Sequence, residues 1–302
     1  MGIKVSQLIE VFKLEVINEG EADCEITAVE SNRCGLQLTG FYRKFARRRI
    51  QIIGNAESEY LQSLDETTYE KALGNIIDWE VPCIIITHGN KLKDNIIEMA
   101  KKNNRWLLST EKATSKYLID QTIYLQHQLA DTITLHGVLM EVYGVGILIT
   151  GDSGIGKSET AIDLIRHGHI LIADDAVEIK KISSELLMGT SHKLTRNLIE
   201  CRGIGIVNIN SLFGKSAIRL EGPVEIIMDL VKWDDTVNYD RLNGDYSTRS
   251  IMDIDVPVAQ IAVKPGRNLA AIIEIGALNF RQNQMGYNTA KELNLAVQSL
   301  NK

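Results

Sequence analysis

No apolar run in the chain approaches the roughly 20 residues that a membrane-spanning helix requires, so no transmembrane segment is expected. The first residues, Met1-Gly-Ile-Lys-Val-Ser-Gln7, lack the apolar stretch and cleavage site of a signal peptide. They match the loose pattern for myristoylation at Gly2, with Ser6 in register, but nothing else points to a lipid anchor. Cysteine is sparse: Cys24, Cys34, Cys83 and Cys201 lie far apart and form no CxxC pair. Their spacing excludes a disulfide framework and a thiolate metal cluster and suits a reducing cytoplasm. Internal repeats, low-complexity stretches and a Pro/Gly-rich linker are missing too. There is no surplus of basic charge, and the net charge of −6 argues against a protein whose main task is gripping nucleic acid.

What is present is an ordinary globular composition, 44% apolar and 24% charged, in 302 residues, enough for two domains with separate cores. The first part alternates strand and helix patterns. Residues Arg49 to Gly54 contain a short apolar strand, and Val81 to Thr87 a stronger one. Between Lys91 and Asn103 a helical pattern turns Leu92, Ile96, Ile97 and Met99 inward. Ser109-Thr110-Glu111 reads as the start of a helix carrying Tyr117, Leu118, Leu125 and Leu129 on one face. After Asp131 the period changes to alternation through Ile133, Leu135, Val138, Met140 and Val142. This places a domain boundary at 129/130 and predicts an N-terminal α/β domain, a small open sheet flanked by helices.

The segment Gly151, Asp152, Ser153, Gly154, Ile155, Gly156, Lys157, Ser158 satisfies GxxxxGK[ST] at every fixed position. The apolar run Val145 to Thr150 feeds it, and Ser158 to His167 is a helix pattern stopped by Gly168. Each residue type has a task. The glycines let backbone N–H groups point at phosphate oxygens, reinforced by the positive end of the helix dipole. Lys157 brings a mobile charge to the outer phosphates of a nucleotide, and Ser158 offers a hydroxyl to Mg²⁺.

Beyond the loop, Gly168 to Asp175 reads as a strand ending in two carboxylates, Asp174 and Asp175. In an open α/β sheet ligands sit at that end. One acid can stand near Mg²⁺ while the other takes a proton from a substrate hydroxyl. Three further features are weaker. His136, followed by Gly137, is by itself more often a hydrogen-bonded structural residue than a catalyst. Glu200-Cys-Arg202-Gly-Ile-Gly205 places an acid and a base beside a small turn. In Val263-Lys264-Pro265-Gly266-Arg267-Asn268 a tight turn carries a cation on each side, and a phosphate clamp and a charged surface turn are both open readings.

Together these pieces resemble the bifunctional HPr kinase/phosphorylase family over the whole chain. The motifs are His136-Gly-Val-Leu139, Gly151 to Glu159, Ala173 to Val177 and Glu200 to Ile206, in the family's order. The resemblance implies ATP-dependent phosphorylation of a regulatory serine on the phosphocarrier protein HPr. It also implies the reverse phosphorolysis, in which inorganic phosphate attacks phosphoserine and pyrophosphate leaves. It further implies Mg²⁺, a homohexamer, and a catalytic domain over 130–302 with a P-loop and a phosphoenolpyruvate-carboxykinase-like core. By this resemblance Asp175 is the proton acceptor in one direction and the donor in the other, as microscopic reversibility requires. Ser158 and Glu200 match Mg²⁺ ligands, and His136, Lys157 and Arg241 match further catalytic positions. A segment shared by both reactions corresponds to Ile199, Glu200, Cys201, Arg202, Gly203, Ile204, Gly205, Ile206, Val207 and Asn208. A loop used mainly in dephosphorylation corresponds to Ala262, Val263, Lys264, Pro265, Gly266 and Arg267.

Three departures stand out. Cys201 replaces a usual Ile, which touches packing more than chemistry. Lys264 stands where members often carry Arg, which keeps the charge but loses bidentate phosphate geometry and predicts a weaker reverse reaction. The run Phe41 to Arg49 is rich in cations, read as a solvated helix face ahead of a nucleic-acid contact. Two rival readings remain, a small-molecule kinase or carboxykinase-like enzyme and a nonenzymatic nucleotide sensor. A carboxykinase does not need the Lys264–Arg267 turn, and a sensor does not need Asp175 as a base.

Overall fold

The structure is a computed structural model that describes residues 2–234, 246–288 and 292. Its contacts divide into two units, Met1–Ala130 and Asp131–Lys302. No helix among the described residues is long and apolar enough to cross a membrane.

The first unit is built on a sheet ordered Glu15–Asn18, Leu107–Ser109, Ile84–Ile86, Gln51–Ile53, Asn32–Arg33. The last four strands run parallel and the first antiparallel. Parallel strands covered on both faces become continuous aliphatic runs, and side chains alternate between two cores. Ile53, Ile84, Ile86 and Leu107 pack on Leu73, Ile76, Ile77 and Ile96. Ile52, Ile85 and Leu108 pack on Leu8, Tyr117 and Leu125. The helix Asp94–Lys102 buries Ile96 and Ala100, with Leu92 and Met99 at the margin of that core.

Two expectations are corrected here. The helix carrying Tyr117 runs Thr114–Leu129, not from Ser109, because Ser109 and Thr110 are committed to the ladder: Thr110 N–H donates to Ile86 O at 2.9 Å. The cationic run Phe41 to Arg49 is turns rather than a helix. Its Tyr42 and Phe45 pack against Trp79, and Arg47 lies over the Trp79 ring at 5.9 Å. Gly2 has a packing reason of its own, since a Cβ there would stand 2.6 Å from the Glu25 carboxylate.

The second unit is layered. A six-stranded sheet, ordered Ile170–Ala173, Val138–Val142, Val145–Gly151, Ile226–Lys232, Ile254–Val263, Ser247–Ile251, forms the middle. On one face Ile147, Ile149, Met228 and Leu230 meet the helices Lys157–Arg166 and Leu269–Gln284 through Ala161, Leu164, Ile273 and Phe280. On the other, Leu139, Leu148 and Ile227 meet Val177, Ile179 and Leu187. Those last residues belong to an antiparallel sheet of Glu221–Pro223, Leu187–Ser191, Ala176–Lys181 and Thr132–His136. The two-domain α/β class read from the sequence is what the structure has. All four cysteines are free, and burial pushes the Cys34 thiol up to about 12.

Candidate active site

The parallel strands Val145–Gly151, Ile226–Lys232 and Ile254–Val263 end at one edge of the sheet, where open α/β folds hold their ligands. The glycine loop leaves the first of them. Gly151, Gly154 and Gly156 have φ of 138°, 80° and 106°, values that favour glycine. A Cβ on Gly151 would lie 2.4 Å from Leu230 O of the neighbouring strand. The helix Lys157–Arg166 then begins with its N-terminus at the loop. Lys157 is nearly buried, and its ammonium donates to Gly151 O at 2.9 Å and Asp152 O at 3.0 Å.

Two chain crossings between sheets bring the acids and the histidine together. The strand Thr132–His136 belongs to the antiparallel sheet and Val138–Val142 to the central one, with Gly137 between them. A Cβ on Gly137 would stand 2.7 Å from Ile149 O, so the crossing needs glycine. Asp174 and Asp175 make the same crossing in the opposite direction, from Ile170–Ala173 to Ala176–Lys181. Asp175 adopts φ 67°, a left-handed setting that aspartate tolerates better than most residues. Gly137 N–H donates to Asp175 O at 3.1 Å, and Ala176 pairs with His136. His136 Nδ1 therefore lies 3.0 Å from Asp175 Oδ1.

The adjacent acids occupy different environments. The Asp175 side chain is 77% exposed, whereas Asp174 is 6% exposed. The Ser158 hydroxyl donates to Asp174 Oδ1 at 3.1 Å, and Glu200 N–H to its Oδ2 at 3.3 Å. Burial pushes the Asp174 carboxyl above the usual range and the neighbouring Asp175 carboxylate adds to this, while the Ser158 and Glu200 donors pull against it.

The segment Ile199 to Asn208 lies in a hairpin, Leu198–Cys201 paired with Gly205–Asn208. Ile199 anchors it in the core, with Val207 packed beside, and Asn208 caps the short helix Ile209–Phe213. Cys201 is half-buried, whereas Gly203 and Ile204 in the turn and Gly205 and Ile206 at the start of the second strand are exposed. A cavity of about 260 Å³ collects His136, Ser153, Gly154, Gly156, Lys157, Ser158, Glu159, Asp174, Asp175, Glu200 and Arg202. Among the described residues no three His, Cys, Asp or Glu side chains are arranged to hold a metal by themselves. Hard oxygens from Ser158, Asp174 and Glu200 around one cavity fit a largely hydrated Mg²⁺ shared with nucleotide phosphates.

The segment Ala262 to Arg267 continues from the third parallel strand, which ends at Val263. Its turn closes through Arg267 N–H to Lys264 O at 3.1 Å, with Gly266 at φ 83°, and the Arg267 guanidinium donates to Ala262 O at 2.8 Å. Arg267 lines a second cavity, of about 430 Å³, that shares Gly156 and Glu159 with the first. The helix Leu269–Gln284 follows, capped by Asn268. Its Glu274 Oε1 meets His167 Nδ1 at 3.1 Å and His169 Nε2 at 2.9 Å. That carboxylate ties the end of the glycine-loop helix and the start of the acid-bearing strand to the helix behind the turn.

Of the residues singled out in the sequence, the cavity brings together all of His136, Lys157, Ser158, Asp175, Glu200 and Arg202. Arg241 lies outside the described residues. The sequence offers Asp174 and Asp175 as a pair, one acid near Mg²⁺ and the other a base, and gives Asp174 no role of its own beyond that. A signal was there, since Asp174 closes a strand whose preceding residues, Leu171 to Ala173, are all apolar.

Comparison with known proteins agrees over both units. The family model for the HPr Serine kinase N terminus matches residues 3–125, and that for the HPr Serine kinase C-terminal domain matches 127–297. The HPr kinase/phosphorylase of Alkaliphilus metalliredigens is 46% identical over 294 residues, spanning 97% of this chain and 95% of the relative. That of Thermoanaerobacter sp. (strain X514) is 44% identical over 293 residues, spanning 97% and 96%. Among solved structures, the Hpr(Ser) kinase/phosphatase from Coxiella burnetii is 34% identical, with a TM-score of 0.49 over 53% of this chain and 98% of that one. The chain belongs to the HPr serine kinase family.

Proposed function

We propose that the chain transfers the γ-phosphoryl group of ATP to a serine of HPr, and that inorganic phosphate reverses the modification and releases pyrophosphate. The observation that carries this reading is the convergence of a phosphate loop, a buried acid and an exposed acid–histidine pair on one cavity.

In the kinase direction the serine hydroxyl approaches Asp175, whose carboxylate takes the proton as the oxygen bonds to phosphorus. The bond from phosphorus to the β–γ bridging oxygen breaks and ADP leaves. His136, 3.0 Å from Asp175 Oδ1, holds that carboxylate in position. Lys157 exchanges its carbonyl partners within the loop for outer-phosphate oxygens. Ser158, Glu200 and Asp174 would hold Mg²⁺, which would supply charge neutralisation at the phosphates. Arg202, close enough to Gly154 that a Cβ there would meet its guanidinium, lies over the loop. In reverse, phosphate enters from the Lys264–Arg267 turn and its oxygen attacks the phosphoserine phosphorus. The seryl oxygen leaves with the proton that Asp175 returns.

The homohexamer is what the family resemblance implies, and Ile204 and Ile206, 76% and 72% exposed, offer apolar surface that self-association would cover. Free thiols, two buried and two half-buried, suit a cytoplasmic setting. The test incubates the chain with Mg²⁺, ATP and HPr and follows protein mass. One added phosphate per HPr, absent when the target serine is replaced by alanine, supports the reading. No incorporation with HPr, together with ATP turnover on a small-molecule acceptor, would overturn it.

A further inference from the structure

The two cations of the Ala262–Arg267 segment meet one aromatic ring outside it. The strands Ile226–Lys232 and Ile254–Val263 pair in parallel as far as Lys232 and Val263. Trp233 extends the ladder by one residue, its N–H donating to Val263 O at 3.2 Å. That bond places Trp233 beside the start of the turn. Lys264 Nζ lies 5.0 Å from its centroid and Arg267 Cζ lies 6.0 Å from it. Two like charges on a four-residue turn repel and would drift apart into water. The negative face of an indole offsets that repulsion and confines both heads to one place.

We propose that Trp233 is a positioning residue for the reverse reaction, gathering Lys264 and Arg267 into a ready-made receptor for inorganic phosphate. This rests on the phosphorolysis reading above. The turn holds the Arg267 guanidinium by a single hydrogen bond, to Ala262 O, and Lys264 has a long flexible stem, so the turn alone leaves the two cations loosely gathered. Gathered cations meet a phosphate without first losing side-chain freedom, which is how preorganisation raises affinity. Phosphate binds to the cations where the ring holds them, and the charge it brings alters the indole's surroundings, so the indole reports the event.

Trp233→Phe keeps a weaker aromatic face and Trp233→Leu removes it. With phosphoserine-HPr, Trp233→Leu is expected to raise KM for phosphate about tenfold, with Trp233→Phe between it and the parent. Turnover in the kinase direction should fall far less. In parallel, inorganic phosphate is titrated into the parent and into Trp233→Phe with intrinsic fluorescence followed, chloride serving as the control. The difference signal should saturate with phosphate and not with chloride. Equal losses in both directions for both variants would make Trp233 merely structural and overturn the proposal, as would an unchanged KM. If the parent releases no pyrophosphate, the phosphorolysis reading fails by itself. The fluorescence titration then decides whether Trp233 gathers an anion receptor: a saturating phosphate signal supports it and a flat one overturns it.

Discussion

Replacing Asp174 with Asn separates the stability of the fold from its chemistry, and the structure predicts opposite signs for the two. The carboxylate is 6% exposed, with two neutral donors and a second carboxylate next to it in sequence. Burial, with Asp175 adding to it, has raised its pKa, so its ionised form is disfavoured by the fold at neutral pH. Asparagine has nearly the same shape and retains one carbonyl oxygen for the Ser158 hydroxyl or the Glu200 N–H. Removing a buried charge while keeping one such bond should stabilise the ligand-free protein by roughly 1–2 kcal/mol. For a domain of this size that is a rise in Tm of about 2–8 °C. The sign with pH follows. A carboxyl whose folded pKa is raised costs nothing below its unfolded pKa and its full penalty above the folded pKa. The advantage of Asp174→Asn is therefore complete above the folded pKa and fades as the pH falls through it towards the unfolded value. Mg²⁺ with nucleotide reverses the order. At a ligand concentration 100-fold above Kd the parent gains about 2.7 kcal/mol, and the variant, short of an anionic oxygen at the metal, gains little. Thermal unfolding with chelator and with saturating Mg²⁺-ADP reads both halves. A variant that is less stable than the parent in chelator would refute the reasoning.

Other perturbations act on single links of the same account. Asp175→Asn is expected to abolish phosphoryl transfer in both directions while nucleotide affinity, read by calorimetry, stays within about threefold; loss of nucleotide binding would instead make Asp175 a binding residue. Arg267→Ala should lower phosphorolysis about tenfold or more and the kinase direction much less, in paired steady-state assays; equal losses would put Arg267 in the general phosphate site. In the first unit, Glu57 is 7% exposed and burial pushes its carboxyl up. The Arg33 guanidinium at 2.8 Å and the backbone N–H of Gly54 outweigh that and hold it below the ordinary value. Its stabilisation is thus present above the unfolded pKa and lost as pH falls through the folded one. Arg33→Met should cost about 1–2 kcal/mol at pH 7, discounted because the arginine is half-exposed. In urea melts that cost should shrink below the ordinary carboxylate range, whereas a gap independent of pH would count against the pairing.

Local signals were the ones legible in the sequence. The glycine loop, its feeding strand and its helix declare themselves through φ-permissive residues and period alone, and the turn at Pro265-Gly266 does the same. What depends on pairing between distant segments was not legible. His136 and Asp175 meet only because two strands cross between sheets side by side, which no spacing encodes. The unlike settings of Asp174 and Asp175 come from a left-handed residue at the crossing, so that adjacent, chemically identical side chains see different solvent. Trp233 gains its place from the parallel register of Lys232 with Val263. The helix at Thr114 starts late because tertiary pairing claims Ser109 and Thr110, overriding a sound local cap signal.

The central claim is that one cavity runs a serine phosphorylation and its phosphorolysis, and the direct test follows pyrophosphate. The purified chain is mixed with Mg²⁺ and HPr phosphorylated on serine, and inorganic phosphate is added. The account predicts pyrophosphate released in step with loss of phosphoserine, saturating with phosphate. Phosphoserine that stays intact at saturating phosphate, or that is lost to water without any pyrophosphate, would contradict it.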